Sequence, residues 1–217
     1  MKRKCWCGSQ LDYHDCHEAF DKKLKQYKKH GYLIPNHKMI KNEKQIEAIK
    51  RAAVVNNGLL DYIEEHIQIG MTTQDIDDMA VAYTSSHGGY SADLNYEGYP
   101  KSICTSVNDE VCHGIPGDYV LQDGDIINVD ATTGVNGYYA DASRMFMLGH
   151  VSEEAQRLVK VTKECLEEGM KAVKPWESTI ADIGTAIEKH AHANGYSVVE
   201  EFCGHGIGKA MHEDPYV

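Results

Sequence analysis

Apolar residues recur at helical spacing in two blocks of the chain, which lie on either side of a central stretch. In the first block they recur every three or four positions from Asn42, a helix N-cap residue type, to Gly70, and predict one long helix. A second helix is predicted from Thr73 onward. The second block predicts a helix after Ser152 and another over about residues 178–194. The positions expected to be buried along the helix after Ser152 are Ala155, Leu158, Val159, Cys165, Leu166 and Met170.

Between about residues 90 and 150, apolar and polar positions alternate with a period of two, which is the pattern of half-buried β-strands. Gly-Val-Asn-Gly at residues 134–137 stands between two such runs and predicts a β-hairpin. Another apolar run after the last predicted helix also favours a strand. The predicted strands cover residues 102–107, 110–113, 125–130, 138–143 and 196–202.

One helix-into-strand unit occurs twice in weakly similar form. Thr73-x-Asp75 begins a segment that ends in His-Gly-Gly-Tyr, and Thr179-x-x-Asp182 begins a segment that ends in Asn-Gly-Tyr. By itself this similarity fits an internal duplication and a coincidence equally well.

Two aspartates of the predicted hairpin are the leading candidates for chemistry. If the hairpin turns between Val135 and Asn136, Asp130 and Asp141 face each other with Cβ atoms about 4.5 to 5.5 Å apart. Carboxylates this close can bind a pair of metal ions about 3.5 to 4 Å apart, and without a cation they repel each other. Apolar neighbours predict partial burial, which raises the cost of unpaired charge. The alternative is a pair of exposed aspartates on an edge hairpin.

Three histidines stand where the chain leaves a regular element for a loop. His205 lies among glycines in Gly-His-Gly-Ile-Gly, residues 204–208, and His212 follows seven residues later. His113 ends a predicted strand and precedes Gly-Ile-Pro-Gly. Because glycines allow close approach of the backbone to a ligand, these positions favour a functional role. The competing interpretation is that each is a structural histidine with satisfied hydrogen bonds.

Composition changes the picture mainly through the distribution of charge. The 217 residues carry a net charge of -11, yet residues 1–51 carry +7 and the remainder carries -18. The acidic part argues against extended binding to a nucleic-acid backbone. The basic arm is either a surface for RNA, the ribosome or a protein, or a solvated lysine-rich helix around residues 22–29. We expect a cytoplasmic protein without membrane contact, since no apolar run reaches the roughly 18 to 20 residues of a membrane helix and no signal-peptide core follows the basic start.

Three of the seven cysteines lie within the first 16 residues. The pattern C-x-C-x8-C-H is formed by Cys5, Cys7, Cys16 and His17. These four residue types are the ligands of tetrahedral zinc, and four protein ligands leave no open position, so we expect a structural zinc ion. The pattern resembles the small zinc motif at the C-terminus of the bacterial preprotein translocase ATPase.

Several ordered motifs together resemble the type I methionine aminopeptidases, from about residue 38 to the last residue. They are residues 108–116 (Asn-Asp-Glu-Val-Cys-His-Gly-Ile-Pro), Asp130 and Asp141 with ten residues between them, residues 204–208, and residues 212–215 (His-Glu-Asp-Pro). The resemblance implies an α+β pita-bread fold, in which two pseudo-symmetric halves surround a dinuclear metal centre. The chain would then comprise a zinc motif (1–20), a basic helix and linker (21–37) and a catalytic domain (38–217).

The resemblance also implies a role for each candidate residue. Asp130 would chelate one metal ion, Asp141 would bridge both and His205 would bind the second, at a site that suits cobalt, manganese or iron. A metal-activated hydroxide would attack the carbonyl that follows the N-terminal methionine of a nascent protein. His212 would hydrogen-bond that carbonyl oxygen, and His113 would contact the scissile amide nitrogen. The methionine side chain would lie against Tyr96, Tyr99 and Cys104.

The sequence departs from the family pattern in three respects. Family members often carry histidine at the position of Glu97 and phenylalanine at the position of Met211, both near the implied methionine pocket. Two further glutamate ligands of the family would fall beyond Val217. Either the chain is a shortened form of a longer protein, which we favour, or it lacks two ligands.

Three functions compete on these grounds. The first is a methionine aminopeptidase, which family precedent implies is monomeric. The second is a pita-bread binding protein without peptidase activity, and the third is a proline-directed peptidase of the same fold. The presence of all five aspartate and histidine candidates favours an enzyme, and the tyrosine-lined pocket favours methionine.

Overall fold

The computed structural model describes residues 3–217, which form two compact units. The first unit ends at Glu47, and the second runs from Ala48 to Val217. This division does not test the predicted borders near residues 20 and 37, which stay predictions. Within the described residues, no helix is both long enough and apolar enough to cross a membrane.

Regular elements follow the predicted order of helices, then strands, then helices. In chain order they are α1 (Tyr13–Cys16), α2 (Glu18–Lys29), α3 (Glu43–His66), α4 (Thr73–Ser86), β1 (Tyr90–Ser91), β2 (Cys104–Val107), β3 (Ile126–Val135), β4 (Tyr138–Met147), α5 (Glu153–Ala172), α6 (Ile180–Ala193), β5 (His205–Gly206) and β6 (Glu213–Tyr216). A short 3-10 helix, Tyr96–Gly98, lies between β1 and β2.

A buried carboxylate organises the first unit. Asp21 of α2 lies within hydrogen-bond distance of Trp6 Nε1 (3.2 Å), the Tyr13 hydroxyl (2.7 Å) and His37 Nε2 (3.1 Å). Burial alone would raise the pKa of Asp21, but these partners outweigh it and lower the pKa below its ordinary value. Asp21 therefore joins α2 to the cysteine-rich segment and to the segment that follows α2.

Two of the long helices begin at the predicted capping residues. Asn42 caps α3 by accepting a hydrogen bond from the backbone N–H of Gln45 at 3.0 Å. The Ser152 hydroxyl caps α5 by accepting one from the N–H of Ala155 at 3.2 Å. Each cap satisfies a helix N–H that has no partner within the helix.

The weak internal similarity corresponds to two helices with the same beginning and end. The reciprocal capping box of Thr72 with Asp75 starts α4, and that of Thr179 with Asp182 starts α6. A glycine with positive φ follows each helix, Gly88 at 72° and Gly195 at 82°. In the structure Thr179 therefore corresponds to Thr72, and not to Thr73, with which the sequence analysis compared it.

The central strand of the second unit is β3. It pairs with β4 along one edge and with β2 and then β1 along the other, all antiparallel. Ile127, Val129 and Ala131 are buried in the core against α3 and α4. Because side chains alternate along a strand, Asp130 and Thr132 point to the opposite face. The helix residues of this core are Leu59, Leu60, Ile63, Ile76 and Ala80.

The hairpin is present, but its predicted register is wrong by two residues. Asp130 lies opposite Ser143, and Asp141 lies opposite Thr132. The reason is a two-residue turn in which Asn136 and Gly137 both have positive φ, 50° and 75°, a conformation that this pair of residue types favours. A shift of two keeps both aspartates on the same face, so they are diagonal neighbours instead of a direct pair.

Two predicted strands are not strands in the structure. Residues 110–113 form a loop, and β2 pairs with β3 instead of with them. After this loop the chain contacts β2 at Gly114, whose carbonyl oxygen accepts a hydrogen bond from the N–H of Thr105 at 2.8 Å. Residues 196–202 are also irregular, since their apolar side chains Tyr196 and Val198 pack against α5 and α6 without ladder hydrogen bonds.

The predicted buried face of α5 is only partly correct. Cys165 is buried, but Leu158, Leu166 and Met170 are 42%, 61% and 60% exposed. The contact line with α6 passes instead through Gly169, where a Cβ atom would lie 3.0 Å from the end of Ile187. This close approach fixes which stripe of α5 faces its neighbour.

Candidate functional site

The two hairpin aspartates meet on the face of β3 and β4 that points away from the core. Asp130 and Asp141 are diagonal neighbours on this face, close enough for each carboxylate to act on the other. Burial, then the nearby charge of Asp141, raise the pKa of Asp130 to about 6. A proton on one of the two carboxylates, or a bound metal cation, would relieve their repulsion.

His205 completes this cluster from β5. Its Nε2 lies 3.3 Å from Asp141 Oδ2, and the His205 side chain is 17% exposed. Its Nδ1 lies 3.0 Å from the carbonyl oxygen of Gly206, which can only accept, so Nδ1 carries a proton. In the neutral ring, Nε2 then presents a lone pair to a carboxylate oxygen, and two acceptors at this distance repel each other. A second proton on the ring, which makes an ion pair with Asp141, or a bound cation removes this conflict, so the donor set is compatible with a metal site.

His212 lies beside His205 and reaches back to the predicted pocket. The two imidazole rings are 4.3 Å apart between centroids in an edge-on arrangement. His212 Nδ1 lies 2.8 Å from the hydroxyl of Tyr96. When Tyr96 donates this hydrogen bond, the proton of the neutral ring is on Nε2, which is then free to donate to a substrate oxygen.

His113 lies in the loop after β2 in a left-handed conformation, with φ of 56°. Its ring packs edge-on against the ring of Phe202, with centroids 5.2 Å apart. Phe202 was not predicted to belong to the site. Through this contact the structure associates His113 with the segment that leads into His205.

Cys104 and Tyr99 also lie close to the aspartates. Cys104 is the direct cross-strand partner of Asp130, so the two side chains share a face. The Tyr99 hydroxyl lies 3.0 Å from the carbonyl oxygens of both Ile103 and Gly114, which can share its proton. Burial raises the pKa of Cys104 to about 12 and also raises the pKa of Tyr99 above its ordinary value, so both side chains are neutral near pH 7.

Asp93 is a carboxylate at this site that the sequence interpretation missed. It is 8% exposed and accepts a hydrogen bond from the backbone N–H of Thr132 at 3.0 Å. Burial, with added repulsion from Asp130 and Asp141, raises the pKa of Asp93 to about 7. The sequence did contain a signal for it, because Asp93 is an acidic residue three positions before Tyr96, in a stretch whose alternating pattern predicts half-buried positions.

The N-terminal cluster is a separate set of candidate ligands in the first unit. The ligand atoms of Cys5, Cys7, Cys16 and His17 all lie within 4.8 Å of one another. His17 Nδ1 is 3.2 Å from Cys5 Sγ and 3.1 Å from Cys16 Sγ, and no disulfide joins these cysteines. Hydrogen bonds from Ser9 lower the pKa of Cys7 to about 6, which favours the thiolate that binds metal.

Two family models match the chain. The model of metallopeptidase family M24 matches residues 47–217, which include all the aspartates and histidines of the second unit discussed above. The model of the SEC-C motif matches residues 3–19, which include the cysteine cluster.

The chain is similar to methionine aminopeptidases of several bacteria. The chain is 50% identical to methionine aminopeptidase A of Synechocystis sp., over 81% of this chain and 70% of that protein. It is 37% identical to the methionine aminopeptidase of Chlamydia pneumoniae over 100% of this chain and 76% of that protein. The crystal structure of methionine aminopeptidase from Rickettsia prowazekii matches with a TM-score of 0.80 and 41% identity, covering 82% of this chain and 71% of that one. These similarities confirm the expected pita-bread fold.

Proposed function

Because the chain belongs to metallopeptidase family M24, and within it to the methionine aminopeptidases, we propose that it removes the N-terminal methionine from nascent proteins. The observation that carries this proposal is the meeting of Asp130, Asp141 and His205 in one cluster inside the segment that the family model matches. A binding protein of this fold needs no such set of ligands.

We propose that Asp130, Asp141 and His205 hold two divalent metal ions. Carboxylate oxygens with a single imidazole suit cobalt, manganese or iron, and His205 Nε2 offers its lone pair toward Asp141. When bound, such ions activate water near neutral pH and polarise the substrate carbonyl.

Residues around the metal ligands are proposed to hold the substrate. His212, polarised by Tyr96, would donate from Nε2 to the carbonyl oxygen as negative charge develops there. His113 would contact the scissile amide nitrogen. Tyr96, Tyr99 and Cys104 would line the methionine pocket, since aromatic rings and a neutral thiol make favourable contacts with a thioether.

We propose that the cysteine cluster of the first unit holds a structural zinc ion. Three thiolates and one imidazole at these mutual distances match the donor set of tetrahedral zinc, and the lowered pKa of Cys7 makes a thiolate available near neutral pH. Zinc here would join the segment before α1 to the start of α2.

The first unit is also the proposed contact with the translation machinery. Its part of the chain is basic, whereas the remainder is acidic, so a negatively charged partner would be attracted to the first unit and repelled by the second. Since nascent chains emerge in the cytoplasm, we propose that the protein acts there.

Hydrolysis of a Met-Ala-Ser peptide tests the proposal. We expect release of methionine with cobalt, manganese or iron when the two further family glutamates are present on the chain, loss of activity with a chelator, and loss in the variant Asp141→Asn. The matched control is Asp123→Asn, because Asp123 pairs with His150 on the surface at 3.1 Å much as Asp141 pairs with His205.

Other outcomes point to the competing functions. Peptide binding without cleavage under any metal would favour a binding protein, and cleavage of Ala-Pro in preference to the methionine peptide would favour a proline-directed enzyme. Cleavage that a chelator leaves unchanged would contradict the metal mechanism.

A further inference from the structure

Strand β3 has a gap in its hydrogen-bond ladder on the edge away from β4. On this edge β2 pairs with β3 as far as Asp130, and β1 pairs with it from Thr133 onward. Ala131 and Thr132 lie between these two ladders, with no described strand opposite them on this side. The gap therefore falls next to Asp130.

The segment after β1 fills this gap with one backbone and one side-chain hydrogen bond. The N–H of Ala92 donates to the carbonyl oxygen of Thr132 at 2.8 Å. The N–H of Thr132 donates to Asp93 Oδ2 at 3.0 Å. The Asp93 side chain thus takes the place of a strand backbone.

Thr132 links this gap to both aspartates of the proposed metal site. It is two residues from Asp130 on the same face of β3 and directly opposite Asp141 on β4. Both backbone polar groups of Thr132 point toward Asp93 and Ala92, so Thr132 and Asp141 form a non-hydrogen-bonded pair of the β3–β4 ladder. A displacement of Thr132 would therefore change the spacing between Asp130 and Asp141.

We propose that Asp93 is a positioning residue, which fixes β3 at Thr132 and thereby sets the distance between Asp130 and Asp141. The proposal rests on the proposed metal site. A third buried carboxylate near two others adds repulsion, so an apolar residue would suit the fold better unless the hydrogen bond to Thr132 is needed. The acting atom is the accepting oxygen, and the charge of Asp93 is not required.

Two substitutions separate the oxygen from the charge. Asp93→Asn keeps an oxygen acceptor for the N–H of Thr132 and removes the charge, whereas Asp93→Ala removes both. The matched control is Asp125, a second buried aspartate that accepts a backbone N–H, from Gln122 at 2.9 Å, at the start of β3.

The experiment measures Mn²⁺ binding to the full chain by electron paramagnetic resonance, after one equivalent of Zn²⁺ has filled the thiolate cluster, which prefers softer metals. We expect D93A to weaken Mn²⁺ binding by about 10- to 100-fold, the usual effect of losing a group that supports a metal ligand, and to alter the spectrum of bound Mn²⁺. D93N should restore the affinity and the spectrum. D125A should lower the unfolding temperature and leave the Mn²⁺ affinity and the spectrum of bound Mn²⁺ unchanged.

Two results would overturn the proposal. One is D93N binding Mn²⁺ as weakly as D93A, which would mean that the charge of Asp93 acts. The other is D93A binding as tightly as the unsubstituted chain.

A failure of the metal site itself is distinguishable from these results. If the unsubstituted chain binds no Mn²⁺, the proposed metal site is wrong, and amide spectra of the metal-free chain then test the positioning role alone. D93A should shift the amide resonance of Asp141 across the strand, and D93N should not. An Asp141 resonance that stays in place in D93A would overturn the positioning role as well.

Discussion

Asp141 and His205 approach each other as two hydrogen-bond acceptors unless a proton or a metal ion lies between them. The fixed Nδ1 proton of His205, set by the carbonyl of Gly206, removes the freedom of the ring to avoid this conflict. The orientation in which a neutral His205 ring repels Asp141 is therefore also the orientation that presents Nε2 to a metal ion.

Substitution of His205 tests this interpretation. His205→Ala should weaken Mn²⁺ binding by at least about tenfold, because one of the few ligands is lost. The control is His150→Ala, which removes an exposed imidazole that also contacts an aspartate. Calorimetric titration with Mn²⁺ measures both, and equal affinities in the two variants would exclude His205 as a ligand.

Some residues of the candidate site can be predicted from the sequence and others cannot. Asp130, Asp141 and His205 stand in motifs with glycines or in a hairpin, so their residue types and spacing point to a metal. Asp93 has no such motif, since its burial and its hydrogen bond depend on Thr132, which is 39 residues away in the chain. The role of His113 stays a prediction, and its contact with Phe202 lay beyond any local pattern.

Helices α4 and α6 offer a test of capping within one chain. Thr72→Ala should cost about 1 kcal/mol of the free energy of unfolding at pH 7, since the helix loses its N-cap acceptor. Thr179→Ala should cost a similar amount in α6, and Thr72→Ser should cost little. Urea unfolding of the three variants measures these differences.

The capping box also predicts a dependence on pH. Hydrogen bonds with Thr72 lower the pKa of Asp75 in the folded chain. The stabilisation is therefore complete above the unfolded pKa of about 3.9 and is lost as the pH falls through the lower folded pKa. Repeating the unfolding in acid should show a smaller effect of Thr72→Ala than at pH 7, and an equal effect at both pH values would contradict this assignment.

The hairpin shows how a correct element can carry a wrong register. The sequence contains two glycines near the turn, Gly134 and Gly137, and only Gly137 serves it. Gly134 lies inside β3, where the ring of Tyr90 packs so closely that a Cβ atom would collide with it. A glycine required for packing and a glycine required for a turn look alike in a sequence, so the register had to come from the structure.

The two compact units predict separate responses to metal removal. Trp6 stacks on His37 with ring centroids 4.0 Å apart and contacts His17 of the cysteine cluster, so its fluorescence reports on the first unit. In a Trp176→Phe background, a zinc chelator should change the emission of Trp6, because a structural zinc site couples binding to folding. The far-ultraviolet circular dichroism of the whole chain should change little, because most of its helical residues lie in the second unit.

Cysteine variants provide the control for this experiment. Cys16→Ser should reproduce the effect of the chelator, whereas Cys203→Ser, at an exposed position of the second unit, should not. Removal of one zinc equivalent with unchanged Trp6 emission would show that the first unit folds without the metal.

The alternation along β3, with core residues on one face and Asp130 on the other, limits how this gene can change in length. One residue inserted between the aspartates and the turn, unless absorbed as a bulge, would rotate Asp130 or Asp141 into the apolar interior. Two inserted residues would leave both on their own face, and residues added to the turn itself would leave the pairing intact. Viable insertions and deletions in the hairpin arms should therefore come in even numbers, while the turn accepts any number.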